Sequence, residues 1–176
     1  REWNEAEPLK SASHLLNFGI FGVMSGTISN VNFYINSFSL EQSTSRADLS
    51  GHSTLNNYNF GLLVGRMDAS YAENGDLASV ASLINVSVYC NKFEYKNNRQ
   101  EGFNATTNLN VNLGVVGMLQ ANCVIDQVSS NIVGDIESDD LLINYGGLVG
   151  RNYGIIGSKT GKGYANFTES TVNAKI

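Results

Sequence analysis

The 176-residue sequence contains little proline, little histidine and no long apolar run, and each shortage excludes a class of structure. Its one proline, Pro8, leaves nearly every backbone amide able to donate in a β-ladder. Its two histidines, His14 and His52, occupy non-equivalent positions, which argues against a catalytic triad built on histidine. No apolar stretch approaches the roughly 18 residues of a transmembrane helix, so we predict no membrane insertion.

Charged residues are also scarce, at 15% of the chain. The 11 Lys and Arg residues against 16 Asp and Glu residues give a net charge of −5. A nucleic-acid groove is basic, so nucleic acid is not a predicted partner. The same negative balance disfavours electrostatic attachment to an anionic membrane.

Glycine and asparagine, by contrast, are abundant, with 18 and 23 copies. They recur in a motif of Asn, an aromatic residue or Leu, Gly, two or three apolar residues and Gly. Its copies are "NFGIFG" (17–22), "NFGLLVG" (59–65), "NLGVVG" (112–117) and "NYGGLVG" (144–150). The last copy departs from a phosphate-binding loop, because Arg151 stands where the Walker pattern requires lysine. The motif therefore indicates an internal repeat.

A second motif follows each copy of the first. Its copies are "ISNVNFYI" (28–35), "LINVSVYC" (83–90), "IDQVSSNI" (125–132) and "ESTVNAKI" (169–176). They align without gaps, and their apolar residues alternate with polar ones, as in a half-buried strand. The alignment predicts an inward column of valines about 4.8 Å apart: Val31, Val86, Val128 and Val172. It also predicts Tyr34 stacked on Tyr89 on the outer face, and an amide column of Asn30, Asn85 and Gln127.

Units of this size cannot bury an apolar face alone, so they stack on their neighbours. We therefore predict an all-β fold, a parallel right-handed β-solenoid (β-helix) of about four irregular rungs. The solenoid is expected to span residues 17–176, with units that start near 17, 59, 112 and 144, and residues 1–16 are expected to be an N-terminal cap or linker. The two motifs lie further apart in units two and four, so a third strand or a loop is expected there.

The segment "GGLVGRNYGII", followed by "STVNA", resembles the GLUG motif, a repeat named for its Gly-Leu-any-Gly core. The segment "FGIFGVMSGTISNVNF" is similar to a rung of the same proteins. The resemblance covers residues 17–176. It implies a β-helical stalk, or an adhesin-like or filament-like region, of a large bacterial or protist surface or secreted protein. It implies no catalytic residue within the repeats.

The two ends of the sequence predict a chain that begins after processing or is a fragment of a longer protein. The opening "REWNEAEPLK" has neither an initiator Met nor the apolar core of a signal peptide. Ile176 closes the last predicted strand, whose open edge would expose unpaired backbone groups. We expect further rungs of the same chain, or a neighbouring subunit, to cover that end.

Few residues are candidates for a site. The segment "GDIESDD" clusters Asp135, Glu137, Asp139 and Asp140, which are weak candidates for a calcium site or form a solvated acidic loop. The glycosylation candidates are the sequon asparagines Asn85, Asn104 and Asn166. Cys90 falls in an inward column and Cys123 does not, so the sequence predicts Cys90 in the core and does not place the two thiols together.

These patterns favour a structural or adhesive module, extracellular or at the cell surface, that acts as a stalk, a filament subunit or a scaffold for loops. No enzymatic activity and no cofactor are expected, because the outward columns hold Asn, Ser and Tyr rather than clustered acids. The alternative is a carbohydrate-binding or carbohydrate-cleaving β-helix, in which the stacked Tyr34 and Tyr89 contact a glycan.

Overall fold

The computed structural model describes residues 15–44, 56–99, 109–138, 143–157, 165–167 and 171–175. Regular secondary structure within these ranges consists of β-strands alone. The strands are β1 (Leu15–Phe18), β2 (Phe21–Met24), β3 (Thr27–Ile35), β4 (Phe38–Thr44), β5 (Asn56–Met67), β6 (Ala69–Tyr71), β7 (Leu77–Val80), β8 (Ser82–Arg99), β9 (Leu109–Leu119), β10 (Val124–Ser138), β11 (Ile143–Tyr145), β12 (Val149–Asn152), β13 (Ile155–Ile156), β14 (Ala165–Phe167) and β15 (Thr171–Lys175). The same ranges hold no helix of the length and apolar character that crossing a membrane requires.

The strands form four repeats: repeat 1 contains β1–β4, repeat 2 contains β5–β8, repeat 3 contains β9 and β10, and repeat 4 contains β11–β15. Sheet A has the order β1–β5–β9–β11, with β2 beside β5 and β12 beside β9. Sheet B has the order β3–β8–β10–β13, with β4 beside β8, and β14 and β15 beside β10. Every pairing in the two sheets is parallel and joins neighbouring repeats. The all-β prediction and the parallel pairing are thereby confirmed.

Sheet A aligns the four copies of the first motif. Asn17 pairs with Asn59, Asn59 with Asn112, and Asn112 with Asn144. The extra apolar residue in "NFGLLVG" is absorbed as a register shift between Gly61 and Val64. The motif alignment read from the sequence is therefore also the backbone register of the sheet.

Sheet B aligns the second motif in repeats 1 to 3. Val31 pairs with Val86 and Val86 with Val128, and the same register carries Tyr34 opposite Tyr89. Val86 and Val128 are buried, whereas Val31 is 38% exposed, because it lies on β3 at the edge of the sheet. The predicted column is confirmed for these three valines, although its first member is only partly covered.

The predicted position of Val172 is wrong. Val172 pairs with Gly134, and the residue opposite Val128 is Ala165. Strand β10 is 15 residues long, so it can pair with three successive short strands of repeat 4. The segment "ANF" of β14 pairs with β10 at residues 128–130. The segment "TVNAK" of β15 pairs further along β10, at residues 133–137.

Strands β3, β8 and β10 of sheet B bend at one aligned position in repeats 1 to 3. Asn30, Asn85 and Gln127 have φ angles of 58°, 53° and 53°, in the left-handed region that asparagine tolerates better than most residues. Asn85 Nδ2 donates to Asn30 Oδ1 at 2.7 Å. The predicted amide column is confirmed for this pair.

The inner faces of sheets A and B pack against each other through aromatic rings. Each of three ring pairs takes one ring from each sheet, with centroids 5.8 to 6.3 Å apart: Phe18–Phe38, Phe60–Tyr95 and Phe93–Tyr145. Burying one such side chain stabilises the fold by about 1.5–3 kcal/mol. The third pair joins repeat 2 to repeat 4, so one core extends through the stack.

Repeat 2 carries its extra length as a hairpin of β6 and β7, the antiparallel pair among the described strands. The hairpin turn is closed by the Gly75 N–H, which donates to the Ala72 carbonyl at 2.9 Å, and Gly75 has a φ of 84° that suits glycine. Ser79 Oγ donates to the Ser25 carbonyl at 3.0 Å, which holds the hairpin against repeat 1. In repeat 4 the extra length holds β13 and β14, so additional strands lie in both of the longer intervals.

Candidate functional site

An asparagine ladder joins all four repeats and is buried at its two middle members, whereas Asn17 is partly exposed and Asn144 is exposed. Asn59 Nδ2 donates to Asn17 Oδ1 at 2.8 Å, Asn112 Nδ2 to Asn59 Oδ1 at 2.7 Å, and Asn144 Nδ2 to Asn112 Oδ1 at 2.9 Å. Asn59 and Asn112 are both 0% exposed. A buried amide is expensive unless its donor and acceptor are both used, and the ladder uses both. Its chemistry is therefore structural, because it fixes the register of sheet A.

The closing glycine of each motif lets neighbouring repeats approach at the ladder. A Cβ added to Gly65, Gly117 or Gly150 would lie 2.5 to 2.7 Å from a backbone nitrogen of the preceding repeat. Those nitrogens belong to Phe18, Phe60 and Leu113, each of which follows a ladder asparagine. Any side chain at these positions would force the repeats apart.

The outer face of sheet B carries the predicted tyrosine pair. The rings of Tyr34 and Tyr89 are stacked, with centroids 5.0 Å apart and an angle of 7° between their planes. Tyr34 is 76% exposed and Tyr89 is 40% exposed. The structure thus brings together the two residues that the sequence named for carbohydrate contact.

Amides and hydroxyls flank the tyrosine pair. Asn91 Nδ2 donates to Asn36 Oδ1 at 3.4 Å, and Ser129 Oγ donates to Ser87 Oγ at 2.9 Å. A shallow, open depression of about 150 Å³ is lined by Tyr34, Ile35, Asn36, Tyr89 and Asn91. An aromatic ring beside hydrogen-bonding amides is the combination that small polar ligands use.

Stacking limits which ring face a ligand can reach. One face of Tyr89 lies against Tyr34, and Tyr89 is followed in register by Asn131 of repeat 3. Tyr34 lies on β3, the edge strand of sheet B, so its second face has no strand beside it among the described residues. Any ring-stacking contact would therefore fall on Tyr34.

The acidic cluster is only partly described. Asp135 and Glu137 lie on β10, opposite Glu94 and Lys96 of β8. Asp139 and Asp140 lie outside the described residues. Within the described part of the chain, no three metal-ligating side chains come together. The calcium site stays a prediction.

The three sequon asparagines have different surroundings. Asn85 is exposed at the bend of β8, where it donates to Asn30. Asn166 lies on β14, opposite Ser129. Asn104 lies outside the described residues, as do His14 and His52, so glycosylation at Asn104 and the expected lack of a histidine triad stay predictions.

Both cysteines are free and buried, with 2% of Cys90 and 0% of Cys123 exposed. This confirms Cys90 as a core residue and places Cys123 in the core as well. Burial raises the pKa of both thiols, and a smaller, opposite effect comes from the Lys92 backbone at Cys90 and from the Ala81 backbone at Cys123. Thiolate chemistry is therefore disfavoured at both positions.

The asparagines of the first motif are evident in the sequence, but the hydrogen-bonded ladder that they form is not. The available signal was their recurrence at the first position of every copy, next to an apolar residue. The close approach at the closing glycines was likewise missed, because a sequence does not show which backbone atoms lie beside a glycine.

Comparison with family models, with curated proteins and with solved structures gave no match. The resemblance to the GLUG motif therefore rests on the repeats of this sequence alone.

Proposed function

We propose that this chain is a structural or adhesive module, a right-handed parallel β-solenoid of a GLUG-like surface or secreted protein. It acts as a stalk, a filament subunit or a scaffold that displays loops. The observation that carries the proposal is the ladder Asn17–Asn59–Asn112–Asn144, which crosses every repeat without a break. A hydrogen-bonded column of this kind ties each repeat to the next, which suits a module that acts by stacking.

The outer surface also supports a scaffold. The face beside the tyrosine pair carries Ser87 and Ser129, which bond to each other. The ion pairs Lys92–Glu94 (2.9 Å) and Arg66–Asp68 (2.7 Å) each join residues two positions apart on the outside of a repeat. The Lys92 side chain is 61% exposed, so its ion pair lies at the solvated surface that a spacer presents.

A scaffold should tolerate an insertion in its hairpin, and this tests the proposal. A ten-residue Gly/Ser peptide inserted between Glu73 and Asn74 is expected to shift the Tm by less than about 3 °C, because lengthening a surface loop costs only about 0.6 kcal/mol per doubling. Residues 71–79 are exposed, so the insert meets no core. Thermal unfolding followed by circular dichroism gives the measurement.

The matched control places the same peptide between Val115 and Val116, which are both 0% exposed. That variant should fail to fold. If both insertions abolish folding, the hairpin is part of the core and the loop-display role is wrong.

The second candidate is carbohydrate binding, and the Tyr34–Tyr89 pair with its flanking amides favours it. A glycan array probed with the labelled chain would find a ligand, and Tyr34→Ala should then weaken its binding by about tenfold, or about 1.4 kcal/mol. Tyr71→Ala is the control, since Tyr71 is 59% exposed but lies on the hairpin. Equal losses in both variants, or no glycan bound by the parent chain, would rule the candidate out.

A further inference from the structure

The edge of the stack formed by repeat 1 is built like an internal surface. Phe18 and Phe21 are 44% and 40% exposed, whereas their partners in the register of repeat 2, Phe60 and Val64, are 2% and 0% exposed. Val23 on the same edge is 56% exposed. Repeat 2 owes its burial to a repeat on each side, and among the described residues repeat 1 has a repeat on one side only.

The side-chain amides of this edge point donors away from the stack. Three amide–amide bonds between repeats 1 and 2 run in the same direction, since Asn59, Asn85 and Asn91 donate to Asn17, Asn30 and Asn36 respectively. The three repeat-1 asparagines use their Oδ1 atoms in these bonds. No described residue accepts from their Nδ2 groups, which are therefore available to a further layer.

The opposite edge presents the complementary group. Asn144 uses its Nδ2 to donate to Asn112, and no described residue donates to Asn144 Oδ1. A head-to-tail contact between two copies would set Asn17 Nδ2 of one against Asn144 Oδ1 of the other. That bond would repeat the geometry of the three bonds within the ladder.

Gly22 gives an independent sign that a further layer belongs here. A Cβ on the equivalent glycines of repeats 2 to 4 would collide with the backbone of the preceding repeat. A Cβ on Gly22 would meet only the carbonyl oxygen of Asn17 in its own repeat, at 3.1 Å. Glycine at this position is required for close packing only if another repeat lies against repeat 1.

The charged side chains of the two edges do not oppose such a contact. Edge strands that avoid association usually carry Lys, other charges or proline. Residues 15–44 contain a single charged side chain, Glu41, and residues 143–157 contain a single one of the opposite sign, Arg151. Lys175 on β15 adds a second positive charge in repeat 4, so these described segments of the two edges carry charges of opposite sign.

We propose that the repeat-1 edge binds the repeat-4 edge of a second copy of this chain, in parallel and in register, so that copies add head to tail. This inference rests on the solenoid architecture proposed above. A head-to-tail contact does not close on itself, so the product is an open filament rather than a dimer. The ladder and the closing glycine then continue across each junction.

Sedimentation velocity of the full chain over a range of concentrations tests the proposal. The weight-average mass should rise from 19.0 kDa and pass beyond the dimer as concentration increases. Gly22→Ala should shift the association to a concentration at least about tenfold higher, because its Cβ would collide with the partner backbone. Asn17→Asp, which keeps the acceptor for Asn59 and removes the donor, should have the same effect.

The control is Gly26→Ala, since a Cβ on Gly26 meets nothing within 4 Å. It should associate like the parent chain, and circular dichroism should show all variants equally folded. A folded parent chain that stays monomeric up to about 1 mM overturns the proposal and leaves the scaffold function standing. A closed dimer, or association unaffected by both Gly22→Ala and Asn17→Asp, also overturns it.

Discussion

Replacing Asn112 by alanine is expected to lower the free energy of unfolding by about 3 kcal/mol. Asn112 is 0% exposed, donates to Asn59 and accepts from Asn144. The substitution leaves the buried Asn59 Oδ1 without its donor and opens a cavity beside it. Each buried polar atom left unsatisfied costs about 1–3 kcal/mol. Chemical denaturation of the variant and the parent gives the difference.

The control for Asn112→Ala is Asn91→Ala. Asn91 also belongs to an amide pair, but it is exposed and its bond to Asn36 is 3.4 Å long. Water can replace that bond, so the loss should stay below about 0.5 kcal/mol. Equal losses in the two variants would show that the inner ladder contributes no more than a surface contact.

Replacing Gly117 by alanine should destabilise the fold by about 3 kcal/mol or more. The new Cβ would lie 2.7 Å from the Gly65 carbonyl oxygen and 2.7 Å from the Phe60 nitrogen, both of them backbone atoms of repeat 2. Backbone in a paired sheet cannot move aside locally, so repeats 2 and 3 must separate. The measurement is the Tm, which for a domain of this size falls by about 2–4 °C per kcal/mol.

The same substitution at Gly22 is the matched control for Gly117→Ala. Gly22 closes the same motif, but a Cβ there meets only the Asn17 carbonyl oxygen at 3.1 Å. Gly22→Ala should therefore leave the Tm of the dilute chain nearly unchanged. A Gly117→Ala variant as stable as Gly22→Ala would mean that the repeats are not packed as described.

Much of sheet A could be predicted from the sequence, because most residues of its motif are of types that suit only a few positions in a strand. Asparagine, glycine and apolar residues each suit only some positions of a stacked strand, so four copies can align in only one way. The paired asparagines Asn17, Asn59, Asn112 and Asn144 follow that alignment. What the alignment could not give is the direction in which side chains face, so the ladder's burial appeared only in three dimensions.

Sheet B was predictable in repeats 1 to 3 and not in repeat 4. The segments "ANF" and "TVNAK" alternate in the same way, and either can enter the column of Val128. The alternating pattern is longer around Val172, which favours Val172 as the partner of Val128. In the structure the partner of Val128 is Ala165. Alternation specifies a strand and its two faces, but it does not specify a partner when two candidate strands follow one long interval.

The stacking of the tyrosine pair could be predicted from the sequence, but the open face of Tyr34 could not. Tyr34 and Tyr89 occupy the same column, so their stacking followed from the register. The edge position of β3, which leaves one face of Tyr34 open, depends on the order of strands in sheet B. Likewise, the sequence shows the hairpin of β6 and β7 only as extra residues between Gly65 and Val86.

Nuclear Overhauser spectroscopy of the isotopically labelled chain tests most directly whether the four repeats stack in parallel and in register. We expect cross-peaks between the side-chain amide protons of Asn112 and those of both Asn59 and Asn144. Backbone protons of Val86 should likewise give cross-peaks to Val31 and Val128. Intense Hα–Hα cross-peaks between these strands, which mark antiparallel pairs, or cross-peaks displaced by one residue, would contradict the stacked parallel architecture.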